Sequence, residues 1–172
     1  MVELTNRERL QPSLLDRLSD DAREQSCEPR EQRVMSMRTL RKAVLRDLSW
    51  LLNSTSLSSA RDLSAYPLAG RSVLNFGLLD LSGKTATSLD LQALSRHIQR
   101  AIEDFEPRIL PGSLQVVPLA RQAEHTGLHR VAFEIHGELW GQPLSERLYV
   151  KTELDLESGD VKLYACEPVG AR

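Results

Sequence analysis

Leu94-Ser95-Arg96-His97-Ile98-Gln99-Arg100-Ala101-Ile102-Glu103-Asp104-Phe105-Glu106-Pro107-Arg108-Ile109-Leu110-Pro111 contains a helix and the signal that stops it. Leu94, Ile98, Ile102 and Phe105, preceded by Leu91, recur at three- and four-residue steps, so a helix here buries one stripe and wets the rest. Ser88 or Asp90 can cap its start. Pro107 ends it. Proline has no amide hydrogen and pushes the preceding residue out of the α region, so Glu106 is predicted to swing into an extended conformation. Glu106 and Arg108 then flank a rigid proline at a helix exit, either as an incidental polar terminus or as a preset pair of opposite charges offered to a partner.

Beyond the Pro111-Gly112 turn the apolar period changes from helical to two-fold. Leu114 and Val116 alternate in a short strand, and His129 to Trp140 follows with Val131, Phe133, Ile135 and Leu139 on one face. Gly141-Gln142-Pro143 turns the chain. From Arg147 to Glu157, Leu148, Val150, Thr152, Leu154 and Leu156 face one way, and Lys151, Glu153, Asp155 and Glu157 the other. Ser158-Gly159-Asp160 is a hairpin turn into Val161 to Ala165. The result is an antiparallel meander with one apolar and one polar face.

Upstream, Glu31 to Asn53 reads as a second amphipathic helix, with Val34, Met37, Leu40, Val44, Leu48 and Leu51 or Leu52 on its apolar face and Trp50 adding bulk. Arg33, Arg38, Arg41, Lys42 and Arg46 make the opposite face basic, a solvated surface or a site for an acidic partner or phosphate. The two helices are the available cover for the meander, which gives an α+β fold in two layers. Ser54 to Arg71 reads as a long surface connection, and Ser72 to Gly83 as an irregular or short extended piece across the core. Residues 1–30 are expected to be a loosely ordered arm with a short docking helix from Pro12 to about Leu18, and 31–172 a single domain. Glu28-Pro29-Arg30 repeats the exit tripeptide with no apolar helix leading into it, a coincidence.

The composition narrows the function classes. A chain of 172 residues can bury a real core, and a net charge of −2 with a pI near 6.1 argues against a general binder of nucleic acid or anionic membrane. No apolar run approaches the ~20 residues of a membrane span, and the N-terminus lacks a signal-peptide core, so a cytosolic protein is expected. Cys27 and Cys166 lie near opposite ends, as two reduced thiols rather than a disulfide framework or zinc site. His97, His125, His129 and His136 show no metal-ligand spacing, and there is no GxSxG and no phosphate-binding loop, so no cofactor is expected. Glycoside hydrolysis needs a carboxylic acid of raised pKa opposite a second carboxylate. Glu106, with Arg108 beside it, is badly placed for that, because a neighbouring cation favours the ionised form.

Several stretches together resemble the phage baseplate wedge proteins that carry the label "lysozyme-like", and their type VI secretion counterpart, the TssE family. They are Pro12-Ser13-Leu14-Leu15-Asp16-Arg17-Leu18, Val44-Leu45-Arg46-Asp47-Leu48-Ser49-Trp50-Leu51-Leu52-Asn53, Ser72-Val73-Leu74-Asn75-Phe76-Gly77 with Asp80-Leu81-Ser82-Gly83, and Ile102 through Ile109 with Glu106-Pro107-Arg108. Phe133-Glu134-Ile135 and Thr152-Glu153-Leu154-Asp155-Leu156-Glu157-Ser158-Gly159 complete the series, and Leu79 departs from the proline frequent in the family. The resemblance favours the secretion branch. It implies a structural, non-enzymatic baseplate subunit at the cytoplasmic side of the inner membrane, which seeds the contractile sheath. The implied partners are TssF and TssG, whose bundle would meet Glu106, Pro107 and Arg108, the sheath subunits TssB and TssC, and other baseplate proteins, with no nucleic acid and no membrane insertion. An open sheet edge accepts a partner strand through main-chain hydrogen bonds, and Lys151, Glu153, Asp155 and Lys162 mark the candidate sheath-facing edge strands. The alternatives are a peptidoglycan glycoside hydrolase acting through Glu106, and a small nucleic-acid binder using Arg38, Arg41 and Lys42.

Overall fold

The computed structural model of the chain describes residues 13–18, 36–83, 89–119, 130–141 and 145–165. Within them lie α1 (Leu14–Leu18), α2 (Met37–Leu52), α3 (Pro67–Gly70), α4 (Leu91–Phe105), β1 (Gln115–Pro118), β2 (Arg130–Leu139), β3 (Glu146–Asp155) and β4 (Val161–Ala165). The rest of the arm, Val34, Cys27, Cys166, Glu28-Pro29-Arg30, His125, His129 and Gln142-Pro143 fall outside the described residues.

Each main helix starts on a side-chain cap. The Asp90 carboxylate accepts from the amides of Gln92 (2.9 Å) and Ala93 (3.0 Å), and the Ser36 hydroxyl accepts from Thr39 N–H at 3.1 Å. Along α2, Leu40, Val44, Leu48, Leu51 and Leu52 are buried, and along α4, Leu94, Ile98 and Ile102, as the periodicity predicts. The strands form one antiparallel sheet in the order β1-β2-β3-β4. Phe133, Ile135, Leu139, Leu148, Val150, Leu154 and Leu156 line its inner face and join both helices in a common core. The fold is the expected α+β meander under two amphipathic helices.

On the outer face the register sets opposite charges directly across: Arg130 with Asp155, Glu134 with Lys151, Glu138 with Arg147, and Glu153 with Lys162. Such pairs favour this pairing over alternatives, and a slip of one residue would also turn the apolar row to water. Trp50 departs from expectation. It stands exposed beside the Arg46 guanidinium, 4.9 Å from the ring centroid, instead of joining the core. Phe105 is another departure: it sits half-buried at the rim, edge-on to Phe76 with centroids 5.3 Å apart, while Ile98 and Ile102 fill the layer beneath.

The long connection is built from short pieces, a 3₁₀ turn at Leu57–Ser59, α3, and a second 3₁₀ turn at Val73–Asn75. It returns to the body at Gly77, where Leu78 N–H bonds Ser54 C=O and Ser56 N–H bonds Leu78 C=O, both at 2.8 Å. Gly77 has φ +120°, and a Cβ there would lie 2.3 Å from the Ser54 carbonyl oxygen. Gly77→Ala should therefore cost about 2 to 3 kcal/mol or more, since strained backbone alone costs about 1 to 3. Gly112→Ala, also at positive φ but in open space, should cost about 1 kcal/mol. Equal losses in denaturant titration would show that the close approach does not matter.

Candidate functional site

The helix exit is an ionic lock. Glu106 leaves the α region, as a residue before proline should, but with φ −122° and ψ 77° it stops short of the extended conformation expected, and its N–H still bonds Ile102 C=O at 2.8 Å. Leu110 N–H then bonds Glu138 C=O, and Trp140 N–H bonds Arg108 C=O, both at 2.8 Å, so the exit runs beside the end of β2. Backbone on both sides of Pro107 is thus fixed. Glu106 is only 3% exposed and takes the Arg108 fork with both oxygens, Nε to Oε1 at 2.6 Å and Nη2 to Oε2 at 2.5 Å.

Asp47 of α2 extends the lock. One of its oxygens accepts from Arg108 Nη2 at 2.5 Å, and the other accepts from Arg46 Nε at 2.9 Å. Arg46 Nη2 also approaches that oxygen at 2.8 Å, a charge contact without a well-aligned hydrogen bond. Arg46 Nη1 in turn donates to Asp16 of α1 at 2.5 Å. The row Asp16, Arg46, Asp47, Arg108, Glu106 ties α1, α2 and the exit of α4 together. Hydrogen bonding to Arg46 holds the Asp16 carboxyl below its usual range. Burial by itself pushes the Arg108 guanidinium down, but the bonds and charges of Glu106 and then Asp47 overrule it and keep it above its ordinary value.

The expectation that Glu106 and Arg108 would find their partners on another protein meets a different geometry, for within the chain they bond each other. Pro107 between them is exposed, and Arg108 Nη1 is buried without an acceptor among the described residues. α1 is also mounted unexpectedly. Asp16 points inward, while Leu14 and Leu18, one turn apart, stand exposed. On the basic face of α2, Arg41 pairs with Glu146 at 3.1 Å and Arg46 belongs to the lock, leaving Arg38 and Lys42 exposed.

The sheet edges differ from each other. Strand β3 is paired on both sides, so Lys151, Glu153 and Asp155 lie on an interior strand and not on an edge; of the candidate edge residues only Lys162 is on an edge strand. Alternation reveals which face is buried but not which strand is outermost. On β1 the bond from Leu119 N–H to Ala132 C=O (2.9 Å) sets the phase, so the N–H and C=O groups of Val116 and Pro118 face away from β2. Ser95 of α4 donates to Val116 C=O at 2.9 Å, and Pro118 has no N–H to offer, so this edge is blunted.

On β4 the bond from Asp155 N–H to Asp160 C=O (2.9 Å) makes Val161, Leu163 and Ala165 the outward-facing residues. Asn53 occupies Val161, accepting its N–H at 2.8 Å and donating to its C=O at 2.9 Å. No described residue pairs with the outward groups of Leu163 or Ala165. Sequence reasoning missed Asp47, Ser95 and Asn53 as functional neighbours; Pro118 was the one local signal that β1 is an edge.

Among the described residues no three His, Cys, Asp or Glu side chains gather as a metal group, and no helix is long and apolar enough to cross a membrane. A polar cleft between the 78–82 segment and the β3–β4 turn contains Asp80 and Asp160, and Glu106 is not among its lining residues. Comparison with known families finds a match over residues 38–144, from α2 through β2, to the family described as baseplate wedge protein gp25. No curated protein and no solved structure matches the chain.

Proposed function

The chain belongs to the gp25 baseplate wedge family, a family of structural baseplate components, and from that premise we propose that it is the TssE-like subunit of a type VI secretion baseplate, which joins the wedge to the contractile sheath and seeds the sheath by strand addition. The open groups of Leu163 and Ala165 are the observation that carries the sheath contact: beyond Val161, which Asn53 at the end of α2 occupies, β4 offers two successive outward residues with no proline and no described side chain bonded to them, whereas on β1 Ser95 takes Val116 C=O and Pro118 has no N–H. The partner there is an extended segment of the sheath subunits TssB or TssC. The wedge contact falls to Glu106, Pro107 and Arg108. Exposed Pro107 and the partly exposed side chain of Arg108 suit an acceptor-bearing surface on TssF and TssG, with Glu106 holding the guanidinium in place. The subunit works at the cytoplasmic side of the inner membrane, within the baseplate.

A hydrolase reading would need Glu106 to donate a proton, yet both of its oxygens accept from a guanidinium. Purified protein should release no sugar fragments from peptidoglycan, and it should co-purify with TssF and TssG when the three are expressed together. Arg108→Lys, which keeps the charge but loses the planar fork, should weaken that association at least tenfold with the fold intact. Undiminished association would remove the exit from the wedge contact, and fragment release that disappears in Glu106→Gln would restore the hydrolase.

A further inference from the structure

Asn53 offers Val161 what a neighbouring strand would offer, an acceptor for its N–H and a donor for its C=O, at 2.8 and 2.9 Å. Its amide plane is not free to turn. Nδ2 also donates to Ser49 C=O at 2.8 Å, and the backbone N–H of Asn53 bonds the same carbonyl at 3.2 Å, so the end of α2 fixes the side chain. One residue thus finishes a helix and fills the first outward position of an edge strand whose next two, Leu163 and Ala165, stay open.

We propose that Asn53 is the register stop of the β4 edge, a specificity-determining residue that fixes where an incoming strand ends. The inference rests on the strand-addition reading given above. A strand pairs along an edge through residues spaced by two. A slip of one residue would put apolar side chains in water and is strongly disfavoured, whereas a slip of two keeps both faces and is hardly penalised by burial. Alternation therefore cannot choose between registers two residues apart. With Val161 already paired, an incoming segment can reach Leu163 and no further, and the slipped register loses its last pair of bonds.

The same geometry describes the segment. The residue beside Leu163 shares the inner face, where Leu163 packs on the core, and should be apolar. Its flanking residues lie beside exposed Lys162 and Tyr164 and should be polar, with a carboxylate favoured near Lys162.

Amide hydrogen exchange on the full chain, alone and with the purified sheath subunits of the same system, tests the proposal. Alone, Val161 should exchange at least tenfold more slowly than Leu163 and Ala165, and Asn53→Ala should abolish that difference. With sheath subunits, the wild type should gain protection at Leu163 and Ala165 only, and Asn53→Ala at Val161 as well. If Leu163 and Ala165 are protected in both proteins while Val161 of Asn53→Ala stays fast in the complex, strand addition stands and the register stop is wrong. If sheath subunits protect none of these amides, strand addition itself fails and the register stop with it. Should Asn53→Ala not fold, Asn53→Asp keeps an acceptor for Val161 N–H but leaves Val161 C=O open, and protection should then extend by one amide on the sheath segment; no extension would overturn the proposal.

Discussion

Glu106→Ala should lower folding stability by about 3 to 5 kcal/mol, the range for removing one partner of a buried ion pair. The size follows from what remains. Arg108 keeps its charge in a site where burial already disfavours it, loses the acceptors at 2.6 and 2.5 Å, and retains only Asp47. Removing both charges leaves no orphaned guanidinium, so the Glu106→Ala/Arg108→Ala double variant should lose less than the sum of the single losses. Denaturant unfolding of all four proteins checks this. A loss below about 1 kcal/mol for Glu106→Ala would mean that the exit is held by its backbone bonds alone. The lock also decides how the wedge contact can be examined, for charge reversal at Glu106 or Arg108 would unfold the exit before it reported on binding.

Phe133→Ala should cost a further independent 3 to 5 kcal/mol, roughly the range for emptying a fully buried aromatic site. Phe133 is 1% exposed and lies at the centre of the inner face, across from Pro118 on one side and Thr152 on the other. Thr152 spends its hydroxyl on Phe133 C=O at 3.2 Å, which satisfies a buried donor and leaves little freedom for the strands to close over a void. Phe105→Ala, at the rim against Phe76, should lose about half as much, since part of its surface is already wet. Comparable losses at the two positions would put the core centre nearer the exit of α4.

The periodic parts of this molecule are legible in the sequence. Ile98 and Ile102 on α4, and the alternation from Leu148 to Leu156, name their buried faces because a 3.6-residue or two-residue period leaves one geometric solution. The expected short docking helix was legible as well, but not the way it docks: α1 is held through Asp16, since Leu14 and Leu18 face outward. Contacts between distant segments were not legible. Nothing in the spacing of Asp47 and Arg108 announces that they meet at 2.5 Å, because the encounter depends on how α2 crosses the exit of α4. Lys151 was misplaced for a similar reason: a strand with one polar face reads alike at the edge and in the middle of a sheet, and only pairing separates the two.

The topology also changes which proline tests the edge. Lys151 pairs with Tyr164, and Lys162 with Glu153, in positions that exchange hydrogen bonds, so a proline at either would cut the β3–β4 ladder. Leu163 is different. Its N–H faces away from β3, and a proline there removes an outward donor while the inner ladder persists. The most direct measurement is therefore sheath formation seeded by baseplates that carry Leu163→Pro, beside Leu163→Ala as the control for lost packing. Leu163→Pro should enter the wedge normally and seed no full-length sheath, whereas Leu163→Ala should seed near the wild-type frequency; full-length sheath from folded Leu163→Pro baseplates would contradict strand addition at β4.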